Sequence, residues 1–273
     1  MSSVYRMSII DKLLKVVPPL QAISELPSDV EEIPCQFAPG KLCLRCKVCG
    51  GSGGTDRNLN HYIDCRYKQP LQQGPYTMGR LINSQVGLNV RLSEAILQKE
   101  YGIISERSVK TILGTYGAGP CIILCMRNRR TTETILAHID AGTLTPLAPF
   151  LTFSPEDSDV YIVGGDDSTR QHLTDLLREL RDGRYTVVFA HVIDSHANRF
   201  AINCITGESW IDGQIYVEDL PVTIDKEMRE RLLFSRALGT SPLFELVIPN
   251  KVAGGGRNRR KTKKRTRRVR RSV

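Results

Sequence analysis

The sequence lacks long hydrophobic runs. Nowhere do apolar residues accumulate to the roughly 20 that cross a bilayer, so the chain is expected to be soluble and to have no transmembrane segment. It also lacks the uninterrupted apolar stretch of a signal peptide, because Met7–Val17 is broken by Asp11, Lys12 and Lys15. The apolar residues at 9, 10, 13, 14 and 17 instead share one face of a helix that Pro18-Pro19 would stop. Without an export signal, the eight cysteines imply a reducing compartment, cytoplasmic or nuclear. There, thiols serve as metal ligands, nucleophiles or core residues rather than as disulfides. No internal repeat is present.

Acidic residues are absent from 254–273, which carries eleven of the 38 Lys and Arg. The remaining 27 basic residues face 29 acidic ones, so residues 1–253 sum to −2 and the formal charge of +9 belongs to the tail. Gly254-Gly255-Gly256 forms a hinge into it, and with almost no apolar residues the segment 253–273 is expected to be disordered when unbound. An import receptor reading a nuclear-localisation signal, a nucleic acid and an anionic membrane surface all match its electrostatics. It has no aromatic residue on which a base could stack, which favours tethering or targeting over sequence-specific recognition.

Composition divides the rest. Residues 1–75 form a cysteine-containing extension with a Gly-rich loop at Gly50–Gly54. Within it, Cys43, Cys46 and Cys49 follow one another at Cys-x2-Cys spacing, with Cys35 before and His61 and Cys65 after. Zinc takes four N or S ligands, commonly from two Cys-x2-Cys knuckles. The second knuckle is missing here, so Cys43, Cys46, Cys49 and Cys65 stand as candidate ligands of a structural zinc or as unliganded thiols.

Residues 76–252 read as an α+β domain of mixed β-sheets flanked by helices, and the 41% hydrophobic residues of the chain as a whole are enough for a core. Strands are expected at Val109–Leu113, Cys121–Met126, Thr134–His138, Val160–Val163, Thr186–His191 and Phe200–Ile205. Ser168-Thr169-Arg170-Gln171 reads as a capping box opening a helix that places Leu173, Leu176, Leu177 and Leu180 on one face. A second helix is expected over Asp225–Leu238.

The chemistry concentrates in Thr111–Cys125. A strand enters the turn Tyr116-Gly117-Ala118-Gly119-Pro120, and Cys121 sits where the next strand begins. Glycines in such a turn let backbone, Gly119 in particular, come close to a substrate, and the donors to an oxyanion would include the Cys121 N–H, since Pro120 has none. The strand Ile135-Leu136-Ala137-His138 ends in a histidine followed by Asp140. If the two strands pair, an imidazolium at 138 would stabilise a thiolate at 121. Taken alone, the two residues read more readily as a core thiol and a structural histidine than as a catalytic pair. Cys125 and Cys204 read as core thiols, and His191 and His196 flank a turn without a motif and receive no role.

The segment resembles the catalytic region of protein N-terminal asparagine amidohydrolases and, more distantly, the chemoreceptor glutamine deamidases. The likeness rests on Ile112-Leu113-Gly114-Thr115, on Cys121 six residues after Thr115, on His138 seventeen after Cys121 within His138-Ile139-Asp140-Ala141-Gly142-Thr143, and on Val160–Gly165 with the following helix. It covers about 75 residues. Threonine at 115 is the choice of the chemoreceptor enzymes where the asparagine family has serine, whereas Val163-Gly164-Gly165 and Asp140 favour the asparagine family. Residues 1–75 and the tail have no counterpart.

The resemblance implies a deamidase-like cysteine hydrolase core with no catalytic cofactor. Cys121 would attack a side-chain carboxamide, His138 would act as base, Thr115 would orient the imidazole, and a thioester would be hydrolysed after ammonia leaves. The expected substrate is a protein or peptide with N-terminal Asn, converted to Asp in N-degron processing. Its α-ammonium would meet Asp140, or less firmly Asp166 or Asp167. The alternatives are a deamidase of internal Gln or Asn side chains, and an inactive deamidase fold that binds nucleic acid through the tail.

Overall fold

Short runs of β-branched and aliphatic residues, separated by Gly, Pro, Asn and Asp, fold as strands and two helices. The computed structural model describes residues 7–17, 30–34, 42–46, 74–82, 89–166, 168–211 and 240–251. The expected helix at Asp225–Leu238, the tail, Asp167, Cys35, Cys49, His61 and Cys65 lie outside the described residues.

In chain order the elements are α1 (Ile9–Val16), β1 (Val30–Pro34), β2 (Leu42–Cys46), β3 (Tyr76–Gly79), β4 (Ser93–Ile96), β5 (Glu100–Ile104), β6 (Ile112–Thr115), β7 (Ile122–Asn128), β8 (Thr134–Ile139), β9 (Ser158–Gly164), α2 (Arg170–Asp182), β10 (Thr186–Val192), β11 (Phe200–Asn203), β12 (Ser209–Ile211) and β13 (Phe244–Leu246). A seven-stranded sheet runs β13-β5-β8-β7-β9-β10-β3, a four-stranded sheet runs β12-β11-β6-β4, and β1 and β2 pair with each other. Both larger sheets mix parallel and antiparallel neighbours, so the protein is α+β. No described helix is long and apolar enough to cross a membrane.

Period-two alternation assigns the layers. Ile122, Leu124 and Met126 of β7, with Ile135, Ala137 and Ile139 of β8, face the helices, where Leu173, Leu176, Leu177 and Leu180 of α2 join Ile10, Leu13 and Val17 at α1. Cys121, Ile123, Cys125 and Leu136 face the other way, against Leu113, Phe200 and Ile202 of the four-stranded sheet. Each of these fully buried aliphatics contributes about 1.5–3 kcal/mol. The catalytic candidates belong to the second interface, between the sheets.

Helix α1 forms as the apolar spacing predicts. Ser8 caps it by accepting the Asp11 N–H at 3.1 Å, and Ile10, Leu13 and Val17 are buried. Helix α2 departs from expectation at its start. Its N-cap is Thr169, with no side-chain cap hydrogen bond, so the Ser168–Gln171 box does not form. The Ser168 hydroxyl donates to Asp166 at 2.6 Å, Gln171 donates to Asp175 at 2.8 Å, and the Thr169 hydroxyl donates to the Pro120 carbonyl at 2.6 Å. Tertiary demand on these hydroxyls outweighs the local motif, and it pins α2 to the turn preceding Cys121.

Candidate active site

The register of β7 and β8 decides which side chains meet. Ile123 lies opposite His138, so Cys121, two positions earlier on the same face, is the diagonal neighbour of the imidazole. Such diagonal neighbours are about 7–8 Å apart at the backbone, within reach of longer side chains. From the facing sheet, fully buried Thr115 places its Oγ1 2.9 Å from His138 Nδ1. The three residues expected from the sequence are thus brought to one place between the sheets. His138 Nε2 is buried and has no hydrogen-bond partner among the described residues. A buried polar atom left unsatisfied costs about 1–3 kcal/mol, so this is a position where a water or a ligand atom would gain a hydrogen bond.

The turn before Cys121 is held from three sides. The Ala118 N–H donates to the Asn198 carbonyl at 3.1 Å, and the Gly165 N–H donates to the Cys121 carbonyl at 2.8 Å. Thr169 fixes Pro120 as described. The Cys121 N–H donates to the Ala118 carbonyl, so it is not an available oxyanion donor, contrary to expectation. Gly117 and Gly119 adopt φ of +65° and +32°, and a Cβ on either would point into open space. At Gly164, φ +83°, a Cβ would stand 2.7 Å from the Cys121 carbonyl oxygen. The Val163-Gly164-Gly165 run therefore serves close approach of two backbones.

Asp140 does not project freely into the site. Its Oδ1 accepts the Gly142 N–H at 2.9 Å and the Thr143 hydroxyl at 3.1 Å. Its Oδ2 accepts Gln98 Nε2 at 2.9 Å and lies 3.6 Å from Lys99 Nζ. His172 of α2 bonds the Thr143 carbonyl at 2.9 Å and steadies the same turn. Asp166 differs: Oδ1 accepts the Ser168 N–H at 2.7 Å and its hydroxyl, while Oδ2 takes no hydrogen bond from the described residues. No motif in the sequence marks Lys99. This ammonium is fully buried, its backbone sits at φ +59°, and its N–H donates to the His138 carbonyl at 2.9 Å.

Burial pushes the Cys121 thiol up to about 12; Asp140 and Asp166 add to the rise and Lys99 opposes it. Burial also drives His138 down to about 4, against the pull of Asp140 and Glu100. The resting pair is therefore a neutral thiol and a neutral imidazole, rather than the thiolate and imidazolium expected from the sequence.

No protein-family model matches the chain, and the curated proteins searched give no match. The reading of the site thus stands on its own residues.

Cys125 and Cys204 are buried core thiols, as expected. Cys43 and Cys46 lie on β2 opposite Ile33 and Val30, while the other two candidate zinc ligands fall outside the described residues. Among the described residues no group of three His, Cys, Asp or Glu is placed to hold a metal.

Proposed function

We propose that the protein is a cysteine-dependent amidohydrolase that converts N-terminal Asn of a protein or peptide to Asp with release of ammonia, on a deamidase-like core. The observation that carries the reading is the imidazole of His138: Thr115 engages Nδ1, and Nε2, on the face it shares with Cys121, has no partner among the described residues. With the proton on Nδ1 donated to Thr115 Oγ1, Nε2 presents a lone pair to the thiol. Attack by sulfur on the carboxamide carbon moves the thiol proton to Nε2, which passes it to departing ammonia; water then opens the thioester by the same route. The neutral resting pair fits this order, because charge arises only once substrate is in place.

The free α-ammonium is assigned to Asp166, whose Oδ2 takes no hydrogen bond from the described residues, with Asp140 holding Lys99 and the 140–143 turn. The test is ammonia release from Asn-initiated peptides with free and acetylated N-termini. The free peptide alone should react, Cys121→Ala should abolish the reaction, and Asp166→Asn should erode the preference for the free amine. Equal release from both peptides transfers the reading to internal Asn or Gln side chains.

One observation favours the inactive reading: Cys121 is only 5% exposed. An inert core thiol would react with iodoacetamide no faster than Cys125 does, and nucleic-acid binding would then disappear on removing 254–273.

A further inference from the structure

A second histidine is built into a more complete hydrogen-bonded chain than the first. His191 of β10 lies directly opposite Thr77 of the edge strand β3, and Thr77 Oγ1 is 2.7 Å from His191 Nδ1. His191 Nε2 is 3.0 Å from Asp194 Oδ2. A carboxylate only accepts, so Nε2 carries the proton and Nδ1 is left as the acceptor of the Thr77 hydroxyl proton. Asp194 is fixed in turn by the His196 N–H at 2.9 Å. Burial would raise its pKa, but the hydrogen bonds from His191 and His196 outweigh that and keep it below its ordinary value.

This order reverses that at His138. There the threonine is sealed and the far ring nitrogen has no partner among the described residues; here the far nitrogen is anchored and the threonine is exposed. The side chains of His191 and Asp194 are only 19% and 20% exposed. All three line a cavity of about 520 Å³ whose walls are mainly apolar, through Leu81, Phe189 and Ile211, with Arg80 at its rim of charge. That size and mix suit a small organic ligand. The cavity is walled by residues of β3 and β10, by Asp194, His196 and Ala197 of the turn after β10, and by Ile211 of β12.

We propose that Thr77, His191 and Asp194 form a second reaction centre, which takes small carboxylic esters with an apolar acyl group. His191 Nδ1 removes the Thr77 hydroxyl proton as Oγ1 bonds to the ester carbonyl carbon and its π electrons move to oxygen, with Arg80 beside the developing charge. Collapse breaks the bond to the alcohol, which leaves with the proton from His191. Water then attacks the acyl-threonine by the same steps, releasing the carboxylic acid and restoring Thr77. The cross-strand pair fixes the hydroxyl and ring in register, and Asp194 holds the tautomer the step requires.

The proposal is independent of Cys121, and its test keeps the two apart. Hydrolysis of p-nitrophenyl butyrate is measured in the full chain carrying Cys121→Ala, alone and combined with Thr77→Val, Thr77→Ser or His191→Gln. Thr77→Val and His191→Gln are expected to lower kcat by about 100-fold or more, whereas Thr77→Ser retains it; a butyryl group should be found by mass spectrometry on the peptide containing Thr77. Absence of hydrolysis in the Cys121→Ala protein, or hydrolysis untouched by Thr77→Val, overturns the proposal.

Discussion

Thr115 is a hydroxyl with no access to water, so its partner is a matter of necessity as well as function. Replacing it by Ser keeps the oxygen and should keep the activity, whereas Thr115→Val should lower kcat for the Asn-initiated peptide by about 100-fold with little change in KM. Peptide kinetics on the two variants check this. His138 also couples stability to pH. Its folded pKa, about 4, lies below the ordinary 6.5, so the unfolded state binds more protons between these values. The stabilisation is complete above pH 6.5 and is lost as pH falls towards 4, by at most about 3 kcal/mol. Urea midpoints at pH 7.5 and 4.5 should show this drop, and His138→Gln should flatten it. The meeting of Thr115 with His138 was legible only through the resemblance, since neither residue taken alone stands out from a core position. Lys99 was not: it enters the site through a left-handed turn and the β5–β8 register, which leave no trace in local composition.

At the scale of elements, the site depends on contacts that stitch one segment to the next. Gly164→Ala places a Cβ 2.7 Å from the Cys121 carbonyl oxygen at φ +83°. The left-handed conformation alone costs about 1–2 kcal/mol, and the clash displaces the cysteine turn. The variant should melt earlier and lose more kcat than Gly165→Ala, whose nearest contacts at 3.2 and 3.3 Å are a threonine hydroxyl and an isoleucine side chain. Thermal melts and kinetics on the pair check the ordering. The strands β6 to β11 were legible as β-branched runs, their ends displaced by no more than three residues. Strands β4, β5 and β13 escaped notice. Ser93-Glu94-Ala95-Ile96 contains a buried serine and glutamate, and Phe244-Glu245-Leu246 is three residues long, so neither presents the alternation that identifies a strand.

Across the whole molecule, two unlike sheets meet face to face, and helices cover the outer side of the larger one. The interface between the sheets is where Thr115 from one and His138 from the other can touch, which neither sheet could arrange alone. Helix α1, far from the site in sequence, reaches the same body by burying Ile10 and Leu13 against α2 and β10. The reaction as proposed does not call on the basic tail. Deleting 254–273 should leave kcat/KM for the peptide unchanged while removing affinity for polyanions, as peptide assays and salt-dependent binding would show. The most direct test of the account is mass spectrometry of an Asn-initiated peptide after incubation in heavy-oxygen water. Hydrolysis through Cys121 predicts one heavy oxygen in the new side-chain carboxylate, present with the wild-type protein and absent with Cys121→Ala. A peptide left unchanged by the wild-type protein, or converted equally by the alanine variant, would contradict it.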